Sequence, residues 1–414
     1  MDTLQVGGGL PLRGRLRPPS DETLSHVALL LGAMAGGHTI VERLSPSLDV
    51  HCTWSCLMDL GVAISSTTDG EQTAVRGLGW RGLAQPKLCL KAGESGATVR
   101  LLMGVIAANP IAADIIGDEG LRRFPLLDVA AALRRMGAAV HLQRGSDCAP
   151  VCVLGRALKG ASHVLPQACE HLRAAVLLAG TMALGETSVT EPFPSDTRLE
   201  GLLALFGADI RRKGLTTTVK GGKNLAGRRL AVAPDLSWAA FWALAAGLNP
   251  GSELFIEGVA PEDSRSGVLA VLLLMGLRSD WLAGGFRVRS QRLHGADLPA
   301  DQAAADLPLL AVAASQAKGA SRLRGALAGG PEQAARLLGL LDSLGVRAGA
   351  EGEDLVVSGP TPLRPGRVSV CEDERLARAG LLAGLLDEGG TVVSEAGIVS
   401  DRYPRLLKQL ARLR

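Results

Sequence analysis

An apolar helix that ends in glycine recurs through this chain every seventy residues or so. The helix ends fall at Gly61, Gly137, Gly207, Gly276 and Gly345, in steps of 76, 70, 69 and 69 residues. A period of this length is typical of proteins built from copies of one supersecondary unit, in which each copy covers the apolar face of its neighbour. With a final helix in "RLLKQLARLR", the pattern predicts six such copies.

A second recurring phrase predicts what each copy contains. An Ala/Leu-rich helix is followed by glycine and then by a short run rich in Val, Ile and Thr, at Gly37, Gly185, Gly251, Gly319 and Gly389. Glycine suits the position after a helix where φ is positive, and the residues that follow favour a strand. We therefore expect βαβ-containing units. The glycine-rich segment 219–235 lies between the third and fourth copies and favours two domains of three units.

Composition restricts the class of protein. The 414 residues are 47% hydrophobic with a net charge of +3, which gives no basis for binding nucleic acid or an anionic membrane surface. The start of the chain does not read as a signal peptide, and no apolar run has the length of a membrane span, so we expect a cytoplasmic protein. The seven cysteines show no zinc-finger spacing, and we expect neither a metal nor an organic cofactor.

Five segments carry a resemblance to a known family. "PSDETLSHVALLLGAMAGG" resembles the P-G-D-K-S-x-S-H-R opening of the EPSP synthase (3-phosphoshikimate 1-carboxyvinyltransferase) family, and "AGESGATVRLLMG" resembles its G-N-S-G-T-T-x-R segment. "GDEGLRRFPLLDV" is similar to G-D-x-S-L-x-x-R-P-M, and "EPFPSDTRLE" to E-P-x-P-S-R-D-H-T-E. "CEDERLARAGLLAG" resembles D-H-R-x-A-M. The motifs occur in the family's order along nearly the whole chain.

The resemblance implies an α/β protein with the enolpyruvyl-transferase fold. That fold has two domains, each of three βαβαββ units in a pseudo-three-fold arrangement, an inside-out α/β barrel. We expect one domain to comprise 1–16 plus 232–414 and the other 17–231, with a small-molecule substrate bound in the cleft between them. Nothing in the sequence requires more than one chain.

The family's reaction joins phosphoenolpyruvate to a hydroxyl group of a phosphorylated cyclic acid, which demands cations, helix N-termini and acid/base groups. Seven positions at which the family motifs carry a cation hold none here, and three of them are acids: Glu22, Asp196 and Asp401. Two unit charges ~4 Å apart interact by about 4 kcal/mol at an effective dielectric constant near 20. The sequence therefore predicts that the ordinary reaction is lost.

Polar and charged residues at the motif positions are the candidates for the site. His171 and Glu170 stand where the resemblance places the ring substrate, and we expect them to act as a base and its orienting partner. The family's catalytic Asp falls on Ala305, next to Asp306. The candidate catalytic residues are His171, Glu170, Glu22 and Asp306. The candidate substrate-binding residues are Thr23, His26, Ser95, Gly96, Arg100, Arg123, Phe124, Ser195, Arg375, Asp401 and Arg402.

Three functions are compatible with this pattern. The leading hypothesis is a repurposed enzyme that acts on a weakly anionic or singly carboxylated small molecule by elimination, isomerisation or cyclisation. The first alternative is a genuine carboxyvinyltransferase with a rewired site, in which Arg123, Arg402 and Asp306 substitute for neighbouring positions. The second is a catalytically inactive homologue that binds a ligand or a partner. A shared fold does not decide between them.

Overall fold

A computed structural model describes residues 3–143, 146–167, 169–265, 267–364 and 366–414; the side chain of Arg123 lies outside the described part. The α-helices in these ranges are α1 (Glu22–Met34), α2 (Leu48–Asp59), α3 (Gly96–Ala107), α4 (Leu127–Arg135), α5 (Glu170–Thr181), α6 (Arg198–Leu205), α7 (Leu236–Leu248), α8 (Gly267–Leu274), α9 (Leu307–Gln316), α10 (Pro331–Ser343), α11 (Glu374–Leu386), α12 (Gly397–Arg402) and α13 (Leu406–Leu413). Short 3-10 helices occur at Leu121–Arg123, Pro261–Arg265 and Ala300–Asp306.

The strands are short and alternate with these helices. They are β1 (Thr3–Val6), β2 (Arg13–Leu16), β3 (Gly36–Glu42), β4 (Ala63–Ser66), β5 (Gln72–Leu78), β6 (Leu90–Lys91), β7 (Ala112–Ile116), β8 (Ala139–Leu142), β9 (Val151–Leu154), β10 (Ser162–Val164), β11 (Glu186–Thr190), β12 (Asp209–Lys213), β13 (Thr216–Lys220), β14 (Arg229–Ala231), β15 (Glu253–Glu257), β16 (Asp280–Leu282), β17 (Gly285–Arg289), β18 (Asp297–Leu298), β19 (Gly319–Leu323), β20 (Arg347–Glu351), β21 (Asp354–Gly359), β22 (Gly366–Ser369) and β23 (Thr391–Ser394).

The chain divides into two compact units. Unit 1 comprises the chain up to Pro19 together with Pro234–Arg414, and unit 2 is Ser20–Ala233. Within the described residues of unit 2 the sheets have the orders β14-β3-β5-β4, β6-β7-β9-β8 and β10-β11-β13-β12. Those of unit 1 are β16-β17-β15-β2, β18-β19-β21-β20 and β1-β23-β22.

One pairing pattern repeats in the four-stranded sheets. In each of these sheets the pairing at one end of the order is parallel and the other two are antiparallel, as in β6 with β7, β7 with β9, and β8 with β9. A parallel connection needs a crossover, and a helix supplies it, as α3 does between β6 and β7. The repeated unit predicted from the glycine spacing is therefore present as a small mixed sheet with its helices.

Three helices form the centre of each unit because they are apolar on every side. In unit 2 α3 is buried over its whole length, α1 from Thr23 onward, and α5 over Leu172–Thr181. In unit 1 the corresponding helices are α7, α9 and α11. A helix without a polar face must be surrounded by protein. Trp238 and Trp242 of α7 are among the largest fully buried side chains and belong to this core.

The glycines that define the repeat have the predicted backbone conformation. Gly61, Gly137, Gly207, Gly276 and Gly345 have φ of 88°, 98°, 97°, 85° and 72°. This is the left-handed region, which a side chain disfavours. In the last copy of the second phrase the residue with positive φ is Gly390, at 71°, rather than the expected Gly389.

The N-terminal segment belongs to unit 1. β1 pairs antiparallel with β23, and β2 pairs parallel with β15, so two strands from the start of the chain complete sheets whose other strands lie after residue 252. In the described ranges no helix is both long and apolar enough to cross a membrane.

Candidate active site

The starts of α1 and α5 lie side by side in unit 2. Asp21 caps α1, its Oδ1 accepting a hydrogen bond from the backbone of Leu24 at 2.9 Å. In the first turn, Thr23 Oγ1 lies 3.3 Å from Glu170 Oε2 and 3.3 Å from His171 Nε2. The structure therefore brings three predicted site residues together. Glu22 lies in the same first turn, where a carboxylate stabilises the helix dipole.

A buried arginine organises the loop that contains Ser195. Arg173 on α5 is 1% exposed, and its Nη1 lies 2.8 Å from Ser195 Oγ and 3.2 Å from both Glu191 Oε2 and Glu200 Oε1. Ser195 Oγ in turn donates to Glu191 Oε2 at 2.5 Å. Arg212 is a second cation in this cluster, 3.1 Å from Glu200 Oε1. Ser195 is thus placed by a network of two arginines and two glutamates.

Arg198 supplies a cation that the motif comparison did not find. Position 196, where the family motif has arginine, is an aspartate, yet the guanidinium of Arg198 forms an ion pair with Asp196 through Nε. Its Nη2 also donates to Asp21 Oδ2 at 2.8 Å. The positive charge has therefore moved by two residues along the chain and lies at the start of α1. The sequence D-T-R after P-S was the signal that could have revealed it.

The pKa of Asp21 reflects this arrangement. Burial is the largest effect and raises the pKa to about 6; Arg198 opposes the rise, and Glu170 adds to it. An acid with such a pKa is partly protonated just below neutral pH. The start of α1 is therefore less negative than a count of its carboxyl groups suggests.

The start of α3 is packed rather than open. Ser95, a predicted substrate-binding residue, caps α3 by accepting a hydrogen bond from the backbone of Thr98 at 3.1 Å. A Cβ on Gly96 would lie 2.3 Å from the ring of Phe124. That ring also lies 4.1 Å below the guanidinium carbon of Arg100, whose Nη2 donates to the carbonyl of Pro125 at 2.8 Å. Arg100 is 9% exposed, so little of its side chain is accessible to a substrate carboxylate.

The structure corrects the expectation for His26. This side chain is fully buried, and its Nδ1 lies 2.7 Å from Thr53 Oγ1. Thr53 Oγ1 is itself 2.8 Å from Thr98 Oγ1. A chain of polar side chains thus links α1, α2 and α3 inside unit 2. Since a substrate cannot touch a group without exposed surface, His26 holds helices together instead of binding substrate.

The starts of the three central helices of unit 1 also meet around charged groups. Asp306, directly before α9, is 5% exposed, and its Oδ2 accepts from Ser237 Oγ of α7 at 2.9 Å. Its Oδ1 lies 3.3 Å from Nη2 of Arg378 on α11. Burial raises the pKa of Asp306 to about 6, against the opposing effects of Arg378 and Ser237. An acid–base group with this pKa can exchange its proton near neutral pH.

Glu374 contacts Arg378, the partner of Asp306, and one further predicted residue, Arg402. Its Oε1 accepts from Trp238 Nε1 at 2.8 Å and its Oε2 lies 2.5 Å from Arg402 Nη1. Arg375 is held by Asp373, the cap of its own helix, through Nη2 at 2.7 Å and Nε at 3.1 Å. To clamp a substrate carboxylate, Arg375 would have to exchange this partner. Asp401 precedes Arg402 in α12 and is partly exposed.

One predicted residue cannot be placed, and three important ones were not predicted. The side chain of Arg123 lies outside the described part, although its backbone belongs to the 3-10 helix before Phe124. The three arginines that were not predicted are Arg173, Arg198 and Arg378; none of them stands at a position where a family motif has a cation. Arg378 stands where the D-H-R-x-A-M motif has Met.

The architecture of six small sheets around apolar helices is that of the enolpyruvyl transferases. The model of the family described as EPSP synthase (3-phosphoshikimate 1-carboxyvinyltransferase) matches residues 6–410. This chain belongs to the EPSP synthase family. It is 28% identical to the EPSP synthase of Acinetobacter baumannii, with a TM-score of 0.85 and coverage of 99% of this chain and 98% of the other. The enolpyruvyl transferase NikO of Streptomyces tendae, 20% identical, shares the fold with a TM-score of 0.77, covering 100% and 97%.

Curated relatives overturn the leading hypothesis about function. Proteins named 3-phosphoshikimate 1-carboxyvinyltransferase are 32% identical in Brevibacillus brevis, covering 97% of each chain, and 36% identical in Pelotomaculum thermopropionicum, covering 99% of this chain and 98% of the relative. The expectation of a repurposed enzyme with different chemistry is therefore wrong. The alternative of a carboxyvinyltransferase with a rewired site is favoured.

Proposed function

We propose that this protein transfers the carboxyvinyl group of phosphoenolpyruvate to a hydroxyl group of shikimate 3-phosphate. The observation that carries the proposal is the full-length match to relatives bearing the name of this activity, at 32% and 36% identity. The charged centres of the two units provide groups that this chemistry requires.

The reaction needs a group that handles protons. The acceptor hydroxyl adds to C2 of phosphoenolpyruvate while C3 gains a proton, and the resulting intermediate then loses phosphate from C2 and a proton from C3. Asp306 is the acid–base group that we assign to this chemistry, because its pKa of about 6 lets it hold or release a proton near neutral pH. The hydroxyl of Ser237 fixes one oxygen of this carboxyl group.

Two arginines, one at the start of α11 and one at the end of α12, are suited to the anionic donor. The side chains of Arg375 and Arg402 are 39% and 28% exposed, so both can be reached from solvent. Each is held by one carboxylate, from Asp373 and Glu374 respectively. Guanidinium groups bind carboxylate and phosphate in a planar, two-bonded geometry. We assign binding of phosphoenolpyruvate to these two residues.

Polar groups of unit 2 are suited to the phosphorylated ring. Thr23 and Ser195 offer hydroxyl groups, and Arg198 offers a guanidinium group beside Asp21 at the start of α1. A helix N-terminus favours an anion. The pKa of about 6 for Asp21 reduces the repulsion that a phosphate would meet there below pH 6. We assign binding of shikimate 3-phosphate to this group of residues.

Phosphate release tests the proposed function directly. Purified protein incubated with shikimate 3-phosphate and phosphoenolpyruvate is expected to release inorganic phosphate, and each substrate is expected to raise the melting temperature. Unphosphorylated shikimate serves as the control and should give neither signal at the same concentration. Absence of phosphate release with both substrates, or stabilisation without turnover, would contradict the proposal; the second result would indicate a binding protein.

Removal of Arg198 should weaken binding of the acceptor selectively. For Arg198→Ala we expect the KM for shikimate 3-phosphate to rise about 10- to 100-fold, because a hydrogen bond to a charged group contributes about 1.5–3 kcal/mol. The KM for phosphoenolpyruvate should change by less than about threefold, and steady-state kinetics with each substrate varied in turn measures both.

Arg211→Ala is the matched control for this experiment. Arg211 is a solvent-exposed arginine of unit 2 on β12 that pairs with Glu186 on β11, across the intervening strand β13. It should leave both KM values unchanged. Equal KM values for shikimate 3-phosphate in Arg198→Ala and the unmodified protein would exclude Arg198 from the acceptor site.

A further inference from the structure

Two departures from the family motifs meet in the core of unit 1. Ala305 stands where the family has its catalytic Asp, and the acid follows at Asp306; Arg378 stands where the family motif has Met. These positions are far apart in sequence, yet Arg378 Nη2 lies 3.3 Å from Asp306 Oδ1 and 3.4 Å from the carbonyl oxygen of Ala305. The arginine therefore contacts both Asp306 and the backbone of the position that lacks the family's acid.

Stability does not account for this pair. The side chains of Asp306 and Arg378 are each 6% exposed. Removing two charges from water costs several kcal/mol per ion, and replacing such a pair with well-packed apolar residues is often neutral or stabilising. The Met of the family motif would fill this position without introducing a charge. The position lies next to Trp238, whose ring is 5.8 Å from the Arg378 guanidinium carbon.

We infer that Arg378 is a positioning residue for the reaction, which holds and orients the Asp306 carboxylate. This inference rests on the proposed function, in which Asp306 is the acid–base group. Arg378 acts through Asp306 and through Glu374, whose Oε1 lies 3.7 Å from Arg378 Nη1. No motif of the family assigns a role to an arginine at this position.

The charges around Asp306 fix the direction of the effect. Burial raises its pKa, Arg378 and Ser237 lower it, and Asp235 and Glu374 raise it. Arg375 and Arg402 lie on α11 and α12 of the same centre. Arg378 remains charged because Asp306, Glu374 and Asp235 outweigh the effect of its own burial on its pKa. Without Arg378, burial and the charges of Asp235 and Glu374 would raise the pKa of Asp306 further, and Asp306 would lose its proton only at a higher pH.

The pH dependence of kcat/KM tests this inference. In Arg378→Met the acid limb of the profile should move upward by about one pH unit or more, since an opposite charge at this distance shifts a pKa by about 1–3 units. Activity should fall about tenfold or more near pH 6 and recover at high pH. Arg378→Lys retains a charge and should move the limb less; it also replaces the Met variant if that protein does not fold.

Controls separate this inference from the proposed function. Arg336→Met, which removes an exposed arginine of α10, should leave the profile unchanged. The carboxyl carbon of Asp306 can be titrated by ¹³C NMR, with Asp306→Asn to assign the signal, in the full chain without substrate. If the titration of Asp306 is shifted in Arg378→Met but the unmodified protein shows no turnover, only the proposed function is refuted. Turnover with an unshifted profile and titration would refute the role of Arg378.

Discussion

Arg173→Ala is expected to lower the free energy of unfolding by about 3 to 5 kcal/mol, the range for removing one partner of a buried ion pair. Arg173 is 1% exposed and lies 3.2 Å from the carboxylates of both Glu191 and Glu200. Its removal leaves two buried acids with Arg212 as their remaining cation, 3.1 Å from Glu200 and 3.9 Å from Glu191. Because Arg212 compensates in part, we expect a value at the lower end of this range.

Urea denaturation followed by circular dichroism measures the loss. Arg211→Ala is again the control, since an exposed ion pair contributes only about 0.2 to 1 kcal/mol. Arg173→Lys should recover part of the stability, because it keeps a charge but loses the two-sided geometry of the guanidinium group. A loss below about 1 kcal/mol for Arg173→Ala would show that Glu191 and Glu200 do not depend on this arginine.

Asp306→Asn is expected to lower kcat by at least about 100-fold, the minimum contribution of a positioned acid–base group. Asn keeps the size of the side chain and its hydrogen bond from Ser237 but cannot accept a proton. Phosphate release under saturating substrates measures the effect. Asp301→Asn, in the same 3-10 helix but only partly buried, should retain full activity. Activity of Asp306→Asn within about threefold of the unmodified protein would rule out the acid–base role.

The same substitution should change how stability depends on pH. The pKa of Asp306 is about 6 in the folded protein, against 3.8 for an unperturbed Asp. Asp306 therefore keeps its proton to a higher pH in the folded protein than in the unfolded chain. This stabilises the folded state below about pH 4, and the stabilisation is lost as the pH rises through 6. At about 1.36 kcal/mol per pKa unit, the loss amounts to about 3 kcal/mol. In Asp306→Asn the free energy of unfolding should not show this loss of about 3 kcal/mol between pH 4 and 6. The same pH dependence of stability in the variant and the unmodified protein would contradict the burial of a titrating carboxyl group.

Counting charges by motif position led to the wrong function. The charge of a site depends on which side chains lie close together in the folded protein, and these come from different positions of the sequence. Position 196 lost its arginine, and the sequence comparison scored a missing cation there. Arg198, two residues further on, places its guanidinium against both Asp196 and Asp21. Arg378 likewise pairs with Asp306, next to position 305, which lacks the family's acid. A substitution and its compensation occupy different motif positions, so comparing positions one at a time records the first and misses the second.

Burial was the other property that motif positions did not convey. His26 and Thr23 are three residues apart in the same motif, and both were expected to bind substrate. Thr23 contacts Glu170 and His171 at the helix start, whereas His26 lies one turn further into the core against Thr53. On a helix whose every face is apolar, the sequence offers no period from which to decide which polar residue faces a site.

The architecture was accessible from the amino-acid order because it depends on local and periodic properties. Glycine at positive φ, the apolar helix before it and the β-prone run after it recur with one period, and each of these signals acts over a few residues. The charged centres depend instead on which helix starts meet. Asp306, Ser237, Arg378 and Glu374 come from three helices separated by some 70 residues each, and only packing of these helices brings their side chains within 4 Å. Local sequence therefore specifies the repeated unit, whereas the tertiary structure determines which charges become partners.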